Sequence, residues 1–213
     1  MSSSPPDRRQ PVEPVPEQVA RVAELMSAFR ADWFLCGGWA VDAWLGRQTR
    51  DHHDIEIAAF QEDQPAIFER IAGWQPIGHD DNVADDTKEP WDGRRLDMPA
   101  HVHARPGDAF EFEVQFNERA GGDWIFNREP LITLPVSACT YASRWGLPAV
   151  SPEVMIFYKA HQPVWRDERR KPPRPHDELD FVALLPHLSD AARSWLREAI
   201  GLVSPAHPWL ARL

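Results

Sequence analysis

The most constraining feature of the sequence lies in residues 34–60, where the second of two apolar runs carries two acids although a buried strand is expected. Its run DIEIAAF has the length and apolar content of a buried strand, yet it begins with Asp54 and includes Glu56. Side chains two positions apart on a strand project from one face, about 7 Å apart, so the two acids point together while Ile55 and Ile57 pack behind them. Unpartnered buried carboxylates cost too much free energy to persist, so the pattern predicts either a solvent-facing edge or a bound divalent cation.

A glycine pair precedes this strand. Gly37 and Gly38 follow the short apolar run WFLC, a predicted strand, and open WAVDAWL, a predicted helix that ends at Gly46. Backbone N–H groups at such a helix N-terminus favour an anion such as a triphosphate, although glycines at strand-to-helix turns are also common for steric reasons. A phosphate cradle beside metal-binding acids is typical of phosphoryl or nucleotidyl transfer.

A second strand offers a third acid. FEFEVQF, residues 110–116, alternates strictly, with its apolar residues on one face and its polar residues on the other. Mg²⁺ prefers a few carboxylates together with water and substrate phosphates. We therefore predict that Asp54, Glu56 and Glu113 form a metal site, with Glu111 behind Glu113.

The apolar periodicity changes along the chain. Residues 17–29 and 63–71 have helical spacing, whereas residues 79–93 contain too many turn-forming residues for regular structure. Three further helical patterns follow residue 150: SPEVMIFYKAH and SDAARSWLREAIGL open with Ser start signals, and DELDFVALLPHL has helical spacing. The chain is thus predicted to be an α+β protein in three parts: a disordered proline-rich tail over 1–16, an α+β domain over 17–150 and a helical domain over 151–213.

Composition narrows the range of partners. Acidic residues outnumber basic ones by 33 to 23, a formal charge of −10, which argues against nucleic-acid binding because phosphates require a positive surface. An acidic surface favours a small cationic substrate, but an excess of acidic residues is equally common in proteins simply because it keeps them soluble. The N-terminus lacks the apolar segment of a signal peptide, and no stretch approaches the ~20 apolar residues of a membrane span, so we expect a cytoplasmic protein without a membrane partner.

The segment GGWAVDAWLGRQTRDHHDIEI resembles the nucleotidyltransferase superfamily, which has the polymerase-β-like fold, and specifically its aminoglycoside and lincosamide branch. That branch shows a glycine pair, a G-R-x-T-R run and a strand with H-x-D-[IL]-[DE]-[IV]. SPEVMIFYKA is similar to the family's P-E-x-x-x-x-x-K-A helix, and RPHDELDF to its R-P-K-D-x-x-D-F element. The resemblance implies a small mixed β-sheet flanked by helices, followed by a C-terminal helical domain. It also implies transfer of AMP from ATP, or from another nucleoside triphosphate, to a hydroxyl of a small molecule, with release of pyrophosphate.

The resemblance implies a role for each matched residue. Asp54 and Glu56 would bind Mg²⁺, and Glu113 would be the third ligand or the general base that accepts the hydroxyl proton. Gly37 and Gly38 would hold the triphosphate. The chain departs from the family at Glu56, where Asp is common, and the extra methylene moves the carboxylate by about 1.5 Å.

Charged residues outside the strands also match. The resemblance implies that Lys159, on the helical domain, neutralises phosphate charge, and that Arg50 and Arg47 contact phosphate or support the site. It implies that Asp177 and Asp180 line the cleft or fix their helix.

Four other polar residues have structural interpretations. His52 is predicted to cap the acid-bearing strand rather than to contact phosphate, and Asp42 to pair with a nearby arginine. His101 and His103 share a strand face, but no third ligand accompanies them at metal-like spacing, which argues against a zinc site.

Three functions remain open from the sequence. The first is Mg²⁺-dependent nucleotidyl transfer to a small molecule such as an aminoglycoside- or lincosamide-like antibiotic. The second is nucleotidyl transfer to a protein or a tRNA, as in toxin-type relatives of the superfamily. The acidic charge of the chain argues against an RNA acceptor. The third is a nucleotide- or partner-binding module without turnover, which the Glu56 departure motivates.

Overall fold

The structure is a computed structural model that describes residues 11–80, 89–105, 111–161 and 174–213. Ten strands lie within these ranges. They are β1 (Trp33–Leu35), β2 (Asp54–Phe60), β3 (Ile77–Asp80), β4 (Glu89–Pro90), β5 (Ala100–Ala104), β6 (Glu111–Ala120), β7 (Asp123–Ile125), β8 (Thr133–Pro135), β9 (Thr140–Ala142) and β10 (Pro148–Val150).

Seven α-helices lie within the same ranges. They are α1 (Glu17–Met26), α2 (Gly37–Leu45), α3 (Gln64–Ile71), α4 (Val136–Cys139), α5 (Pro152–Ala160), α6 (Pro175–Leu184) and α7 (Asp190–Val203). No helix in the described part of the chain is long and apolar enough to cross a membrane.

The strands form one mixed sheet in the order β4-β3-β5-β6-β2-β1-β10-β9, and β7 pairs with β6 and with β8. Two pairs, β2 with β6 and β1 with β10, are parallel, and the other pairs are antiparallel. The α+β class, with a mixed sheet and flanking helices, is therefore confirmed. The acid-bearing strand β2 lies in the interior of the sheet, between β1 and β6.

The register between β2 and β6 places their apolar side chains on one face. Ile55 lies opposite Phe112 and Ile57 opposite Val114, and all four are fully buried. The alternation that predicted these two strands is therefore the alternation between the core and the polar face of the sheet. Because β2 and β6 run parallel, their polar side chains also come into register on the opposite face.

One apolar cluster includes side chains from both predicted domains, such as Val19 and Val22 of α1 and Leu196 and Ile200 of α7. The boundary at residue 150 stays a prediction. Within the predicted N-terminal tail, residues 1–10 lie outside the described residues, and the Glu13 amide donates to the Gly46 carbonyl at 2.9 Å. This part of the tail is thus bound to the folded chain.

The predicted loop over 79–93 is wrong at both ends. β3 extends to Asp80 and β4 occupies Glu89–Pro90, while residues 81–88 lie outside the described part of the chain. β3 pairs with β5, more than 20 residues further along, and such a long-range pairing can override weak local strand propensity. The predicted strand over 110–116 is confirmed from Glu111 onward, and it continues to Ala120.

Candidate active site

The acids predicted to bind metal lie side by side on two adjacent parallel strands. In the register of β2 and β6, Asp54 pairs with Glu111 and Glu56 pairs with Glu113. Neighbouring strands lie about 4.8 Å apart, so the four acids occupy adjacent positions on the polar face of the sheet. Asp54 is exposed and Glu56 is partly buried, and the Glu113 side chain is 12% exposed.

The glycine pair lies directly against this group. Gly37, the first residue of α2, has φ +62°, and a Cβ there would overlap the Glu56 carboxylate, 2.7 Å from its Cδ. The Cys36 amide donates to the Glu56 carbonyl at 3.0 Å. The helix therefore begins in contact with the acid, and Gly37 is required both for its backbone conformation and for this close approach.

The pKa values of Glu56 and Cys36 indicate an excess of negative charge around the acids of β2 and β6. Burial raises the pKa of the Glu56 carboxyl above its ordinary value, and the Asp54 carboxylate raises it further, whereas Lys159 acts in the opposite direction. The pKa of the Cys36 thiol lies well above its ordinary value, because of burial and then because of Glu56, Glu113 and Asp54. The thiol thus lies in the field of all three acids, where a cation would offset the repulsion.

Lys159 is held by a buried ion-pair network. Its Nζ lies 3.1 Å from Asp177 Oδ1 and 2.8 Å from Asp180 Oδ2, and all three side chains are less than a tenth exposed. Arg50 Nη2 lies 3.3 Å from Asp180 Oδ2. Burial raises the pKa of the Asp177 carboxyl, but Lys159 and Arg174 outweigh it and hold that pKa below its usual value. The two aspartates therefore join α6 to α5 and to the loop before β2.

Gly38 packs against a second group of side chains. A Cβ at this position would overlap Arg50 Nη2 and lie 2.5 Å from His52 Cε1. His52 Nε2 in turn lies 2.7 Å from Asp42 Oδ2, and the Thr49 amide donates to Asp42 Oδ1 at 3.1 Å. Of the two predicted phosphate-binding glycines, Gly37 therefore contacts a proposed metal ligand and Gly38 contacts Arg50.

Two sequence interpretations in this group are wrong. Among the described residues Asp42 pairs with no arginine side chain: it faces the interior of the protein with no exposed surface and binds Thr49 and His52. His52 does not cap β2, because its ring stacks 4.2 Å from the Trp39 ring and its Nε2 binds Asp42. The run between α2 and β2 folds back onto the helix, a contact that helical periodicity does not reveal.

A cleft of about 300 Å³ lies between the sheet and α5. Of the predicted site residues, Gly37, Glu56 and Lys159 line it, whereas Gly38, Arg50, Asp54 and Glu113 are not among its lining residues. The volume is at the lower end of the range for small-molecule sites.

Sequence reasoning missed several polar residues of the cleft. Tyr158 Oη donates to Asn117 Oδ1 at 2.8 Å, and Trp124 Nε1 donates to the same oxygen at 3.1 Å. Burial raises the Tyr158 pKa, so its hydroxyl stays a donor. Gln115 and Asn117 continue the polar face of β6 beyond Glu113, and this period-2 pattern is the signal that could have found them.

The prediction that no third metal ligand accompanies His101 and His103 is also wrong. His79, on β3, pairs in register with His101 on β5, and the three side chains form one cluster. The third residue comes from a neighbouring strand that lies more than 20 positions away in the sequence, where spacing motifs give no signal.

Comparisons with known proteins agree with this fold. The model of the aminoglycoside-2''-adenylyltransferase family matches residues 18–75, which include α1 after its first residue, the glycine pair and β2. No curated protein sequence gives a significant match.

Solved structures of two antibiotic adenylyltransferases are similar over most of the chain. The lincomycin-bound lincosamide antibiotic adenylyltransferase LnuA is 14% identical, with a TM-score of 0.53 over 81% of this chain and 98% of that chain. ANT(2'')-Ia in complex with adenylyl-2''-tobramycin is 16% identical, with a TM-score of 0.57 over 85% and 94%. A solution structure of ANT(2'')-Ia, an antibiotic-resistance factor, has a TM-score of 0.56 over 91% and 93%, also at 16% identity.

The family-model match over residues 18–75 agrees with the predicted resemblance to antibiotic nucleotidyltransferases. At such identities the solved structures bear on the fold, and the family model covers the segment that contains Gly37, Gly38, Asp54 and Glu56. The chain therefore has the nucleotidyltransferase fold, and its predicted resemblance to the aminoglycoside and lincosamide branch of that superfamily is confirmed.

Proposed function

We propose that the chain is a Mg²⁺-dependent nucleotidyltransferase that moves AMP from ATP to a hydroxyl group of a small molecule. One observation carries the proposal: Glu56 and Glu113 pair in register on parallel strands, with Asp54 on the same face, next to the N-terminus of α2. Carboxylates beside a helix N-terminus are the two elements that a metal-bound triphosphate requires.

The donor set fits Mg²⁺. Asp54, Glu56 and Glu113 offer only carboxylate oxygens, the ligands that this hard cation prefers. Burial and then repulsion from Asp54 raise the pKa of Glu56, and a divalent cation would offset both effects. We assign these three residues as its ligands, with Glu113 either in the metal shell or acting as general base. Bound Mg²⁺ supplies charge neutralisation to the phosphates.

The chain's own groups would position the reactants. Gly37 and Gly38 present the first amides of α2 to the triphosphate, and Lys159 adds positive charge from the cleft wall. Arg50 Nε is buried without a hydrogen-bond partner among the described residues, which supports a role for Arg50 in anion binding. The acceptor oxygen forms a bond to the α-phosphorus, the bond to pyrophosphate breaks, and the hydroxyl proton passes to a base.

Glu113 is held in place for either role. Gln115 Nε2 donates to Glu113 Oε1, and His103 Nε2 lies 3.7 Å from the same oxygen. A Glu113→Gln variant separates the two roles. Loss of a ligand raises the Mg²⁺ concentration needed for half-maximal activity, whereas loss of a base lowers kcat at saturating Mg²⁺.

The proposed acceptor is a hydroxyl-bearing antibiotic of the aminoglycoside or lincosamide kind. The support comes from the neighbouring folds, which were solved with lincomycin and with adenylylated tobramycin. The formal charge of −10 favours a cationic acceptor such as an aminoglycoside.

The test incubates the protein with labelled ATP, Mg²⁺ and a panel of aminoglycosides, lincosamides and other polyols, and measures pyrophosphate and the mass of each acceptor. We expect an acceptor mass gain equal to one AMP residue in the wild type and none in Asp54→Ala. Failure to bind ATP and to release pyrophosphate would overturn the proposal. Labelling of co-purifying protein or tRNA would favour the macromolecular acceptor, and ATP binding without any product would favour the module without turnover.

A further inference from the structure

Three histidines gather on the polar face of the sheet, outside the acids of the proposed Mg²⁺ site. His79 on β3 lies opposite His101 on β5, and His103 follows two positions along β5 on the same face. One ligand nitrogen from each ring can be chosen so that all three lie within 4.8 Å of one another. The sheet register, rather than a flexible loop, thus brings three imidazoles together.

The rings pack closely. The His79 and His101 rings stack with centroids 4.6 Å apart and an interplanar angle of 9°, and the His103 ring lies 4.7 Å and 5.1 Å from them at steep angles. His79 is 8% exposed, and the other two are partly buried. Three adjacent imidazoles cannot all carry a proton without strong repulsion, and the neutral imidazole is the form that binds metals.

One of the rings is oriented by a carboxylate. His103 Nδ1 lies 2.9 Å from Glu111 Oε1, and Arg105 Nη2 holds the other oxygen of that carboxylate at 3.3 Å. An ionised Glu111 can only accept, so His103 Nδ1 carries a proton, and in the neutral ring the lone pair lies on Nε2. Metal-binding histidines in proteins usually donate their second ring N–H to such a carboxylate, which fixes the tautomer and the ring orientation.

We propose that His79, His101 and His103 form a binding site for a divalent transition-metal ion of the Zn²⁺ class, with Glu111 as the outer partner of His103. The site is separate in ligand chemistry from the oxygen-only Mg²⁺ site, because imidazole nitrogen selects borderline ions such as Zn²⁺, whereas Mg²⁺ prefers oxygen ligands. The inference does not depend on the proposed transferase activity.

The geometry needs only a small adjustment to bind the ion. Zn–N bonds of about 2.0–2.1 Å place tetrahedral ligand nitrogens roughly 3.4 Å apart, so the rings must approach by about 1.4 Å at most, which side-chain rotation can supply. Three protein nitrogens leave one coordination position for water or another group. Glu113 Oε1 lies 3.7 Å from His103 Nε2, so the histidine site borders the proposed Mg²⁺ site.

The experiment titrates the full chain, stripped with a chelator, with Zn²⁺ by calorimetry in excess Mg²⁺ and without nucleotide. It repeats the titration with Co²⁺, whose visible absorption reports a four-coordinate site. We expect one saturating equivalent of Zn²⁺ that Mg²⁺ does not displace. His101→Gln and His103→Gln should each abolish saturable binding, and Glu111→Gln should weaken it by about 10–100-fold.

Two control variants keep the result specific. His187 lies between α6 and α7, and His187→Gln should bind Zn²⁺ like the wild type. Asp54→Asn should also bind Zn²⁺ like the wild type, so that loss of the transfer reaction and loss of the histidine site give different results. The proposal is overturned if the wild type, shown by circular dichroism to be folded, takes up no Zn²⁺ when one equivalent is added. It is equally overturned by binding that both β5 variants retain.

Discussion

Gly37→Ala tests whether contact between the start of α2 and the Glu56 carboxylate sets the geometry of the site. Gly37 has φ +62°, so a side chain there costs about 1–2 kcal/mol in backbone strain. The new Cβ would also lie 2.7 Å from Glu56 Cδ, and carbon atoms in contact are about 3.5–4.0 Å apart. Glu56 Oε2 would overlap the new Cβ even more closely, so the carboxylate must retreat by at least about 1 Å, and a misplacement of about 1 Å in an active site can cost roughly 100-fold in rate.

Gly46→Ala is the matched control, because Gly46 ends the same helix with φ +74° and its added Cβ would meet the Arg144 side chain at 3.1 Å. Urea unfolding should show that both variants lose about 1–2 kcal/mol in the free energy of unfolding. Pyrophosphate release with ATP, Mg²⁺ and an acceptor should fall by about 100-fold in Gly37→Ala only. Equal activities in the two variants would refute the reasoning.

A second variant makes this prediction sharper. Glu56→Asp shortens the side chain by one methylene and withdraws the carboxylate from the position of the new Cβ. In the Glu56→Asp background, Gly37→Ala should therefore cost less stability than in the wild type, and the difference is the coupling energy of a double-mutant cycle. Zero coupling would show that the two side chains do not compete for the same space.

Three further predictions concern single charged or titratable groups. Asp54→Asn should lower the rate of Mg²⁺-dependent transfer by at least about 1,000-fold, because a metal ligand is lost. Thermal unfolding of this variant should show no loss of stability, because its repulsion with Glu56 is relieved. Lys159→Met should cost less than the ~3–5 kcal/mol of a buried charge left without a partner, because Arg174 and Arg50 still pair with Asp177 and Asp180, and a loss of about 3 kcal/mol or more in urea unfolding would contradict this. His207 Nδ1 accepts from the Trp209 amide, and burial lowers the pKa of His207. The wild type should therefore lose stability as the pH falls below about 6.5, the ordinary histidine pKa, because the unfolded chain then binds a proton at this residue. His207→Asn should flatten the dependence of the unfolding free energy on pH, and an unchanged dependence would contradict this role of His207.

Local pattern was enough to predict the elements that carry the acids. The predicted strand DIEIAAF is β2 (Asp54–Phe60), and the predicted helix begins at the glycine pair and ends at Gly46, which adopts a left-handed conformation. In both cases the signal lies within the element: alternation in the strand, and glycines at the two ends of the helix. The pairing of Glu56 with Glu113 follows once the two strands are adjacent, because both alternate with the same period.

Contacts between distant segments could not be predicted in this way. Asp42 meets His52 because the loop after α2 folds back on the helix, and neither residue has a local pattern that indicates it. His79 meets His101 because β3 and β5 pair across an intervening segment. The register of a strand pair that is not joined by a short turn depends on tertiary packing, which a single sequence does not reveal.

The ion-pair network around Lys159 has a consequence for the kinetics of nucleotide binding. Lys159, Arg50 and Arg174 pair with Asp177 and Asp180, so these five side chains carry a net charge of only +1. An approaching ATP anion therefore meets little long-range attraction from these cations, and it meets repulsion from a protein of formal charge −10. Added salt screens this repulsion, so the association rate constant for ATP should rise with ionic strength, opposite to the usual behaviour of sites that steer their substrate electrostatically.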